Sequence, residues 1–302
     1  RRRATPGSRN TSANSSAGML IRNDRRNELG LIRTRVQKFA PPGAIGSHEV
    51  AISFEDAGSP TAHHSRLAAL HALPYWRSLR PADMTTDDTE LLYSDEHVAV
   101  VNKPSGLLVH RGWDNDRDVL MMRVRDALGS WVYPVHRLDR GASGAVVFAL
   151  SSEVARILSG FFERQEVHKR YVALTRGIPP EQGVIDNPVP RRPKGPRVDA
   201  ITDYRRLEVF GRYALVEASP RTGRVHQIRR HLKHISCPLI GDVRYGKGEH
   251  NRLFRESYGL HRLALHATEI RFSHPSGGEE IRVEAPLPDD LRIPLDKLRA
   301  AS

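Results

Sequence analysis

Residues 136–150 place the strongest constraint on how this chain folds. The first nine of them, HRLDRGASG, put one carboxylate, Asp139, between two arginines and end in a Gly/Ser turn. The next six, AVVFAL, form an apolar run rich in β-forming residues. An apolar run bounded by turn residues predicts a buried strand. The fold must therefore bury a strand whose entry loop carries an acid and two bases.

Asp139 has two interpretations at this point. Its flanking cations favour the ionised carboxylate, because an opposite charge within reach stabilises that form. An ionised carboxylate near neutral pH can act as a nucleophile or a base, although it is a poor general acid. The alternative is a surface ion pair that contributes about 0–1 kcal/mol to stability.

The first 88 residues differ from the rest of the chain. Residues 1–18 are rich in Arg, Ser, Thr and Asn, and residues 19–88 hold only short apolar pieces without a sustained period. Such a composition buries too little apolar surface to offset the entropy of ordering. We therefore expect a disordered or poorly structured extension over 1–88, one folded domain over 89–295 and a tail over 296–302. Met84 lies just before the first convincing strand and is a candidate for the true start.

The charge balance points to a polyanionic partner. The chain carries 47 Lys plus Arg against 35 Asp plus Glu, and the basic excess persists after residue 88. Nucleic acid is the first candidate for such a partner, and a solvated basic surface is the alternative.

Cysteine content and hydropathy indicate the compartment. The single cysteine, Cys237, excludes an intrachain disulfide framework and a multi-cysteine metal site. No apolar run approaches the roughly 20 residues that span a bilayer. We expect a cytoplasmic, monomeric protein that has no membrane partner.

From about Leu91 onward, short apolar runs alternate with turn residues, which is typical of a compact domain of strands and helices. Helices are predicted at 117–128, 152–162 and 224–235, and residues 179–196 are expected to form a basic loop. Strands are predicted at 90–93, 97–103, 145–150, 168–174, 200–209, 213–218, 261–272 and 280–284.

A second basic stretch, RTGRVHQIRRHL at residues 221–232, accompanies the last of these helices. A helix N-terminus crowded with guanidinium groups can hold a carboxylate or a phosphate. The alternative is a solvated basic face. The helical period predicts that Ile228 and Leu232 are buried and that Arg229 and Arg230 lie on the exposed face. Its histidines do not share the i, i+4, i+8 spacing of a metal site, and we expect no metal.

Four short motifs in one order carry a resemblance to a known family. They are NKPSG at 102–106, HRLDR with SG at 136–144, KRY at 169–171, and TGR with HQIR at 222–229. Together they resemble the RluA-type RNA pseudouridine synthases over about residues 90–285. Residues 108–111 and 229–232 look most like the tRNA pseudouridine synthase C branch of that family. Ala142 departs from the pattern, where threonine is more usual.

The resemblance implies an isomerase that detaches uracil from its ribose, turns it and rejoins it through C5. It implies that Asp139 is the nucleophile, at C1′ of the ribose or C6 of the base. Arg229 would pair with Asp139, and Tyr171 would stack on the target base and could help remove the C5 proton. Ile228 would pack beneath the tyrosine, and Arg137 would fill the gap left by the extruded nucleotide.

The resemblance also implies an α+β fold with a mixed, mainly antiparallel sheet, flanking helices and a central active-site cleft. It implies tRNA as the substrate, with uridine 65 as the target, and no organic cofactor. The alternatives are a uridine of 23S ribosomal RNA, or a catalytically silent RNA-binding or RNA-folding protein. Further RNA contacts are expected from basic side chains of the motifs and the basic loop: Lys103, Arg140, Arg224, His226, Arg191 and Arg192.

Overall fold

The computed structural model describes residues 19–23, 34–38, 89–111, 118–192 and 195–302. The strands are β1 Met19–Asn23, β2 Thr34–Lys38, β3 Glu90–Ser94, β4 Val98–Lys103, β5 Tyr133–Pro134, β6 Ser143–Ala149, β7 His168–Arg176, β8 Gln182–Asp186, β9 Val189–Pro190, β10 Arg197–Val198, β11 Ile201–Phe210, β12 Tyr213–Pro220, β13 Leu265–Ser273 and β14 Glu280–Glu284. The helices are α1 Leu120–Leu128, α2 Ser152–Glu163, α3 Gln227–His234, α4 Gly248–Leu253 and α5 Asp289–Ala300, with a π-helical turn at Phe254–Tyr258.

Within the described residues, twelve of these strands form one sheet, and β9 and β10 form a separate hairpin. The main path runs β2-β1-β14-β13-β7-β12-β11-β8, and β6 joins it through a parallel pair with β13. A second parallel pair joins β1 to β14, and the other strand pairs are antiparallel. The prediction of a mixed, mainly antiparallel α+β fold is confirmed.

Strand β6 is the buried strand that the apolar run after the Asp139 loop predicts. All seven of its residues are buried. The strand pairs with β4, β5 and β13. Gly144 has a φ of 115°, and a Cβ atom there would lie 2.2 Å from the carbonyl oxygen of Ala267. Only glycine tolerates both conditions, so this residue lets β6 approach β13 directly after the Asp139 loop.

Helix α2 follows β6 and packs on the sheet as its period predicts. The Ser151 hydroxyl accepts a hydrogen bond from the backbone N–H of Val154, which caps the helix. Val154 and Leu158 are buried against strand residues of β4, β6, β13 and β14. This cluster fills the face of the sheet covered by α2, while a second cluster under α1 and α3 supports the cleft described below.

Several predicted boundaries differ from the structure. Helix α5 continues to Ala300 and buries Leu298 to 2% exposure, so the predicted domain end at 295 falls inside a packed helix. The expected basic loop at 179–196 contains β8 and β9.

Strands β1 and β2 lie in the stretch expected to be poorly structured. They form an antiparallel pair that joins the sheet through β14. The other residues of the 1–88 extension, including Met84, fall outside the described part of the chain. None of the helices formed by the described residues combines the length and apolar character needed to cross a bilayer.

Candidate active site

A cleft of about 500 Å³ brings three of the sequence motifs together. Sites for small molecules and single bases have this order of volume. The Asp139 loop, the start of β7 and the segment leading into α3 each form part of the wall. Of the predicted site residues, seven line the cleft: Arg137, Asp139, Tyr171, Arg224, His226, Ile228 and Arg229.

Asp139 lies in a loop that is fastened to the turn after β4. The carbonyl oxygen of Arg140 accepts from the N–H of Gly106 at 2.8 Å and from Lys103 Nζ at 3.2 Å. The Ser105 hydroxyl donates to the carbonyl oxygen of Gly141 at 2.8 Å. These contacts lie within two residues of Asp139, so they fix the loop and leave its carboxylate free to face the cleft.

Lys103 was predicted to contact RNA, and that prediction is wrong. The side chain is fully buried, and Nζ donates to the carbonyl oxygens of Pro104, Leu107 and Arg140. Burial lowers the pKa of Lys103 to about 7, and the charge of nearby Arg262 acts in the same direction. This lysine therefore holds the two loops together from inside the protein.

Arg229 holds one oxygen of Asp139 from helix α3. Its Nη1 donates to Asp139 Oδ2 at 2.9 Å. The prediction that Arg229 lies on the exposed face of the helix is wrong, because the residue is 9% exposed and points into the protein. Asp139 Oδ1 lies 3.8 Å from His226 Nε2, beyond hydrogen-bond distance. The two carboxylate oxygens of Asp139 thus have different surroundings.

Asp242, which is not among the predicted site residues, anchors the other side of the Arg229 guanidinium. Arg229 Nε and Nη2 donate to its two oxygens at 2.7 and 2.8 Å. The carboxylate also accepts from the backbone N–H groups of Arg244 and Tyr245. Burial is the largest single effect and raises the pKa of Asp242. The hydrogen bonds and charge of Arg229, together with the two backbone N–H bonds, outweigh burial, so the net shift of this pKa is downward. Arg229 is held rigidly by Asp242 and presents one N–H to Asp139.

The sequence does contain a signal for Asp242. It is the only acidic residue between Arg221 and Lys247, in a stretch that is otherwise strongly basic. An isolated carboxylate among so many cations is a natural ion-pair partner.

Tyr171 and Ile228 form the apolar part of the cleft. Both are buried, at 9% and 6% exposure, and both line the wall. Burial is the main cause that raises the pKa of Tyr171, and the charge of Asp139 adds to it. The phenol is therefore neutral at pH 7 and offers a flat apolar face beside the carboxylate.

Gln227 fixes the segment that leads into α3. Its side-chain oxygen accepts from the Thr222 hydroxyl and the Arg224 N–H, and its nitrogen donates to Thr202 and to the carbonyl of Ile201. Every polar atom of this buried amide is therefore used. The basic segment before α3 is tied to β11, and the helix begins at Gln227 rather than at 224.

Three of the predicted RNA contacts, Arg140, Arg191 and Arg192, lie outside the cleft lining. Arg140 has an exposed side chain at the loop, and Arg191 and Arg192 are exposed in the connection between β9 and β10. Arg224 lines the cleft and donates to the carbonyl oxygen of Asp199. His231 is fully buried, where it contacts Thr202 and Asn187.

One group of possible metal ligands lies away from the cleft. Asp95, His97 and His274 place their ligand atoms within 4.8 Å of one another. The Asp95 carboxylate is already engaged by the Tyr93 hydroxyl, by His274 Nε2 and by the N–H groups of His97 and Val98. These hydrogen bonds give the group a structural role, because they join the turn after β3 to the turn after β13.

Comparison with known proteins gives one consistent result. A family model described as RNA pseudouridylate synthase matches residues 97–234. The chain is 40% identical over 229 residues to tRNA pseudouridine synthase C of Vibrio parahaemolyticus, covering 68% of this chain and 93% of the relative. It is 41% identical over 221 residues to tRNA pseudouridine synthase C of Vibrio cholerae, covering 66% of this chain and 91% of the relative.

A solved structure agrees with these relatives. Human RNA Pseudouridylate Synthase Domain Containing 4 aligns with a TM-score of 0.58 at 29% identity, covering 69% of this chain and 92% of that chain.

Proposed function

Because the chain belongs to the RNA pseudouridylate synthase family, we propose that it isomerises uridine in tRNA, at uridine 65, with Asp139 as the nucleophile. The chain is thus an RNA pseudouridine synthase. The RNA that it modifies, the target uridine and the roles of the site residues are proposed. One observation carries the assignment of Asp139: Oδ2 is held by Arg229 at 2.9 Å while Oδ1 has no partner within 3.5 Å among the described residues.

The reaction replaces the bond between N1 of uracil and C1′ of ribose with a bond between C5 and C1′. An ionised carboxylate can form a covalent intermediate that divides this exchange into two easier steps. Arg229 fixes the orientation of Asp139 through Oδ2, which leaves Oδ1 to attack C1′ or C6. The buried pair with Asp242 prevents Arg229 from moving away with the substrate.

Tyr171 is proposed to hold the base during the exchange. A base must leave its stack to reach a buried carboxylate, and stacking on an aromatic ring returns about 1–3 kcal/mol of that cost. Tyr171 and Ile228 line the cleft together with Asp139 and belong to one buried cluster, and Ile228 is proposed to support the tyrosine ring. The same side chain is proposed to assist removal of the C5 proton.

Arginines at the cleft are proposed to bind the RNA backbone. Arg137 is exposed and adjacent to Asp139, where it can occupy the space left by the extruded nucleotide. Arg224 and His226 continue the basic wall toward α3. Arg140, Arg191 and Arg192 extend the basic surface beyond the cleft and are proposed to contact phosphates.

The tRNA assignment rests on the relatives, whose names specify tRNA and which cover most of the described domain. A uridine of 23S ribosomal RNA and a silent RNA binder are the alternatives. We further propose that the protein acts in the cytoplasm and as a monomer. Light scattering of the purified chain would test the monomeric state.

Mapping of pseudouridine in total RNA tests the proposal. A deletion strain is complemented with the wild-type gene or with Asp139→Ala. We expect one tRNA position to lose pseudouridine on deletion and to regain it only with the wild type. Loss at a ribosomal position would favour the first alternative, no lost position would favour the second, and restoration by the alanine variant would contradict the mechanism.

A further inference from the structure

His226 has an unusual backbone conformation at the start of α3. Its φ is 54°, in the left-handed region that residues other than glycine seldom adopt. Backbone strain of this kind persists where the surrounding structure requires a side chain in a particular place. Here it directs the imidazole into the cleft, with Nε2 3.8 Å from Asp139 Oδ1.

Tyr245 contacts Arg230 and one nitrogen of the His226 ring. Arg230 Nε lies 3.0 Å from the Tyr245 oxygen, and an arginine N–H can only donate. The phenolic oxygen therefore accepts from Arg230, and its own hydrogen is available to His226 Nδ1, at 3.1 Å. When Nδ1 accepts that hydrogen, the proton of the neutral ring lies on Nε2.

The charges around the ring support the same arrangement. Burial is the largest cause that lowers the pKa of His226; Asp139 opposes the shift, while Arg229, Arg230 and Arg244 add to it. The imidazole is therefore neutral at pH 7. A lone pair on Nε2 would face the Asp139 carboxylate and be repelled by its negative charge, whereas an N–H on Nε2 is attracted to that charge. Both considerations favour a neutral N–H donor beside the nucleophilic oxygen.

We infer that His226 is a catalytic residue, whose neutral Nε2–H donates a hydrogen bond to the uracil as the ring gains negative charge. Tyr245 is the positioning residue that fixes the imidazole for this task. The inference rests on the proposed function, and it changes the predicted role of His226 from an RNA contact to an electrostatic one.

The electron balance of the step explains why a donor is needed there. If Asp139 Oδ1 bonds to C1′, the C1′–N1 bond breaks and its electron pair remains on the departing uracil. If Oδ1 bonds to C6, the C5=C6 pair moves onto C5 and the O4 carbonyl. Either route places one negative charge on the uracil, and His226 donates without transferring its proton. Any group that reacts with Oδ1 lies close to Nε2, because those two atoms are 3.8 Å apart.

Substitution of His226 and Tyr245 tests the inference through turnover. Removal of one such donor typically lowers kcat by about 10²–10³-fold. We expect that loss for His226→Ala with KM changed by less than about 3-fold, and a smaller loss for His226→Gln, whose amide can donate. The control is His234→Gln, an exposed histidine of the same helix that does not line the cleft. A His226→Ala enzyme with wild-type kcat, or with a loss confined to KM, would overturn the inference.

The pH profile of Tyr245→Phe separates orientation from mere packing. Without the hydroxyl donor at Nδ1, the ring protonates more readily, and the cation pairs with Asp139 and blocks it. The acid limb of kcat should therefore move to higher pH in this variant, and an unmoved limb would contradict the role of Tyr245.

A nitrogen NMR measurement keeps this inference separate from the proposed function. Long-range proton–nitrogen correlations in the resting wild-type protein report which imidazole nitrogen is protonated, without any substrate. We expect His226 to carry its proton on Nε2, and to lose this preference in Tyr245→Phe. A protonated Nδ1 in the wild type would overturn the inference even if the enzyme forms pseudouridine. An enzyme that forms none on any RNA would instead refute the proposed function.

Discussion

Asp139 and Asp242 share one guanidinium, and they differ in almost everything else. The Asp242 side chain is fully buried and takes two hydrogen bonds from Arg229 and two from backbone N–H groups. The Asp139 side chain is 22% exposed and, among the described residues, takes a single hydrogen bond, from Arg229. One carboxylate is saturated with donors, and the other keeps an oxygen that faces the cleft.

This difference assigns the two carboxylates different roles: Asp242 holds Arg229 in place, and Asp139 reacts with the substrate. A buried carboxylate whose oxygens are all hydrogen-bonded is a poor nucleophile, because reaction would cost those bonds. A carboxylate with one oxygen held and the other unengaged is oriented and still reactive. Because Asp242 fixes Arg229, Arg229 in turn fixes the position of Asp139. Substitution of Asp242 should therefore lower stability more than turnover, and substitution of Asp139 should lower turnover more than stability.

Arg229→Ala should give the largest combined effect, because it leaves Asp242 buried without its partner. Breaking a buried pair from one side costs about 3–5 kcal/mol of unfolding free energy. Turnover should fall by at least about 10²-fold, since Asp139 loses its orientation, while RNA affinity changes less. Urea unfolding and RNA binding measure the two quantities.

The control for Arg229→Ala is Arg221→Met, which removes an exposed two-point pair with Asp203. Exposed pairs contribute about 0–1 kcal/mol. Equal losses of turnover and RNA binding in Arg229→Ala would contradict its role as the partner of Asp139.

Asp242→Asn should lower stability by about 2–4 kcal/mol, with a partial loss of turnover, since Arg229 keeps its contact to Asp139. The pKa of Asp242 is lowered in the folded protein, so its contribution is present above the unfolded pKa of about 4 and is lost as pH falls through the folded pKa. The difference from wild type should be constant between about pH 5 and 8 and should shrink below about pH 4. A difference that persists in acid would refute the ionic role.

Lys103→Met should lower stability by about 1–3 kcal/mol, because three carbonyl oxygens lose their donor. The pKa of Lys103 is about 7 in the fold against about 10.4 unfolded, so the unfolded chain binds more protons between these values. Wild-type stability relative to the variant should therefore rise from about pH 7 to 10. Ser105→Ala, which removes only the bond to Gly141, should cost less. A flat difference across that range would contradict a buried, titrating lysine.

The smallest effect is expected far from both carboxylates. Replacing Arg191 and Arg192 together with Gln should leave turnover at saturating RNA unchanged and should reduce the slope of log affinity against log salt by about 1–2. An unchanged slope would remove these two arginines from the RNA interface.

Much of this architecture could be predicted from local sequence. The buried strand β6 and the capped helix α2 follow from short-range patterns, and the family follows from four motifs in order. The sequence also shows that Asp139 lies in a loop before β6. These features depend on neighbours along the chain, which the sequence displays directly.

What could not be predicted depends on long-range burial. Lys103 resembles an RNA-binding lysine until the fold encloses it under the Arg140 carbonyl. Arg229 belongs to a basic helix, and its inward direction is set by Asp242, thirteen residues away. The hydrogen bond at His226 Nδ1 is made with Tyr245, a tyrosine beyond the helix. Each of these facts requires the tertiary contact to be known first.

Release of tritium from C5 of uridine in a tRNA transcript tests the central claim most directly, because joining C5 to ribose expels the hydrogen at that carbon. Purified wild type should release it catalytically. Asp139→Asn should lower the rate by at least about 10⁴-fold and change the unfolding free energy by less than about 1 kcal/mol. Release by a folded Asp139→Asn protein at a rate within about 10-fold of wild type would contradict the assignment of Asp139 as the nucleophile.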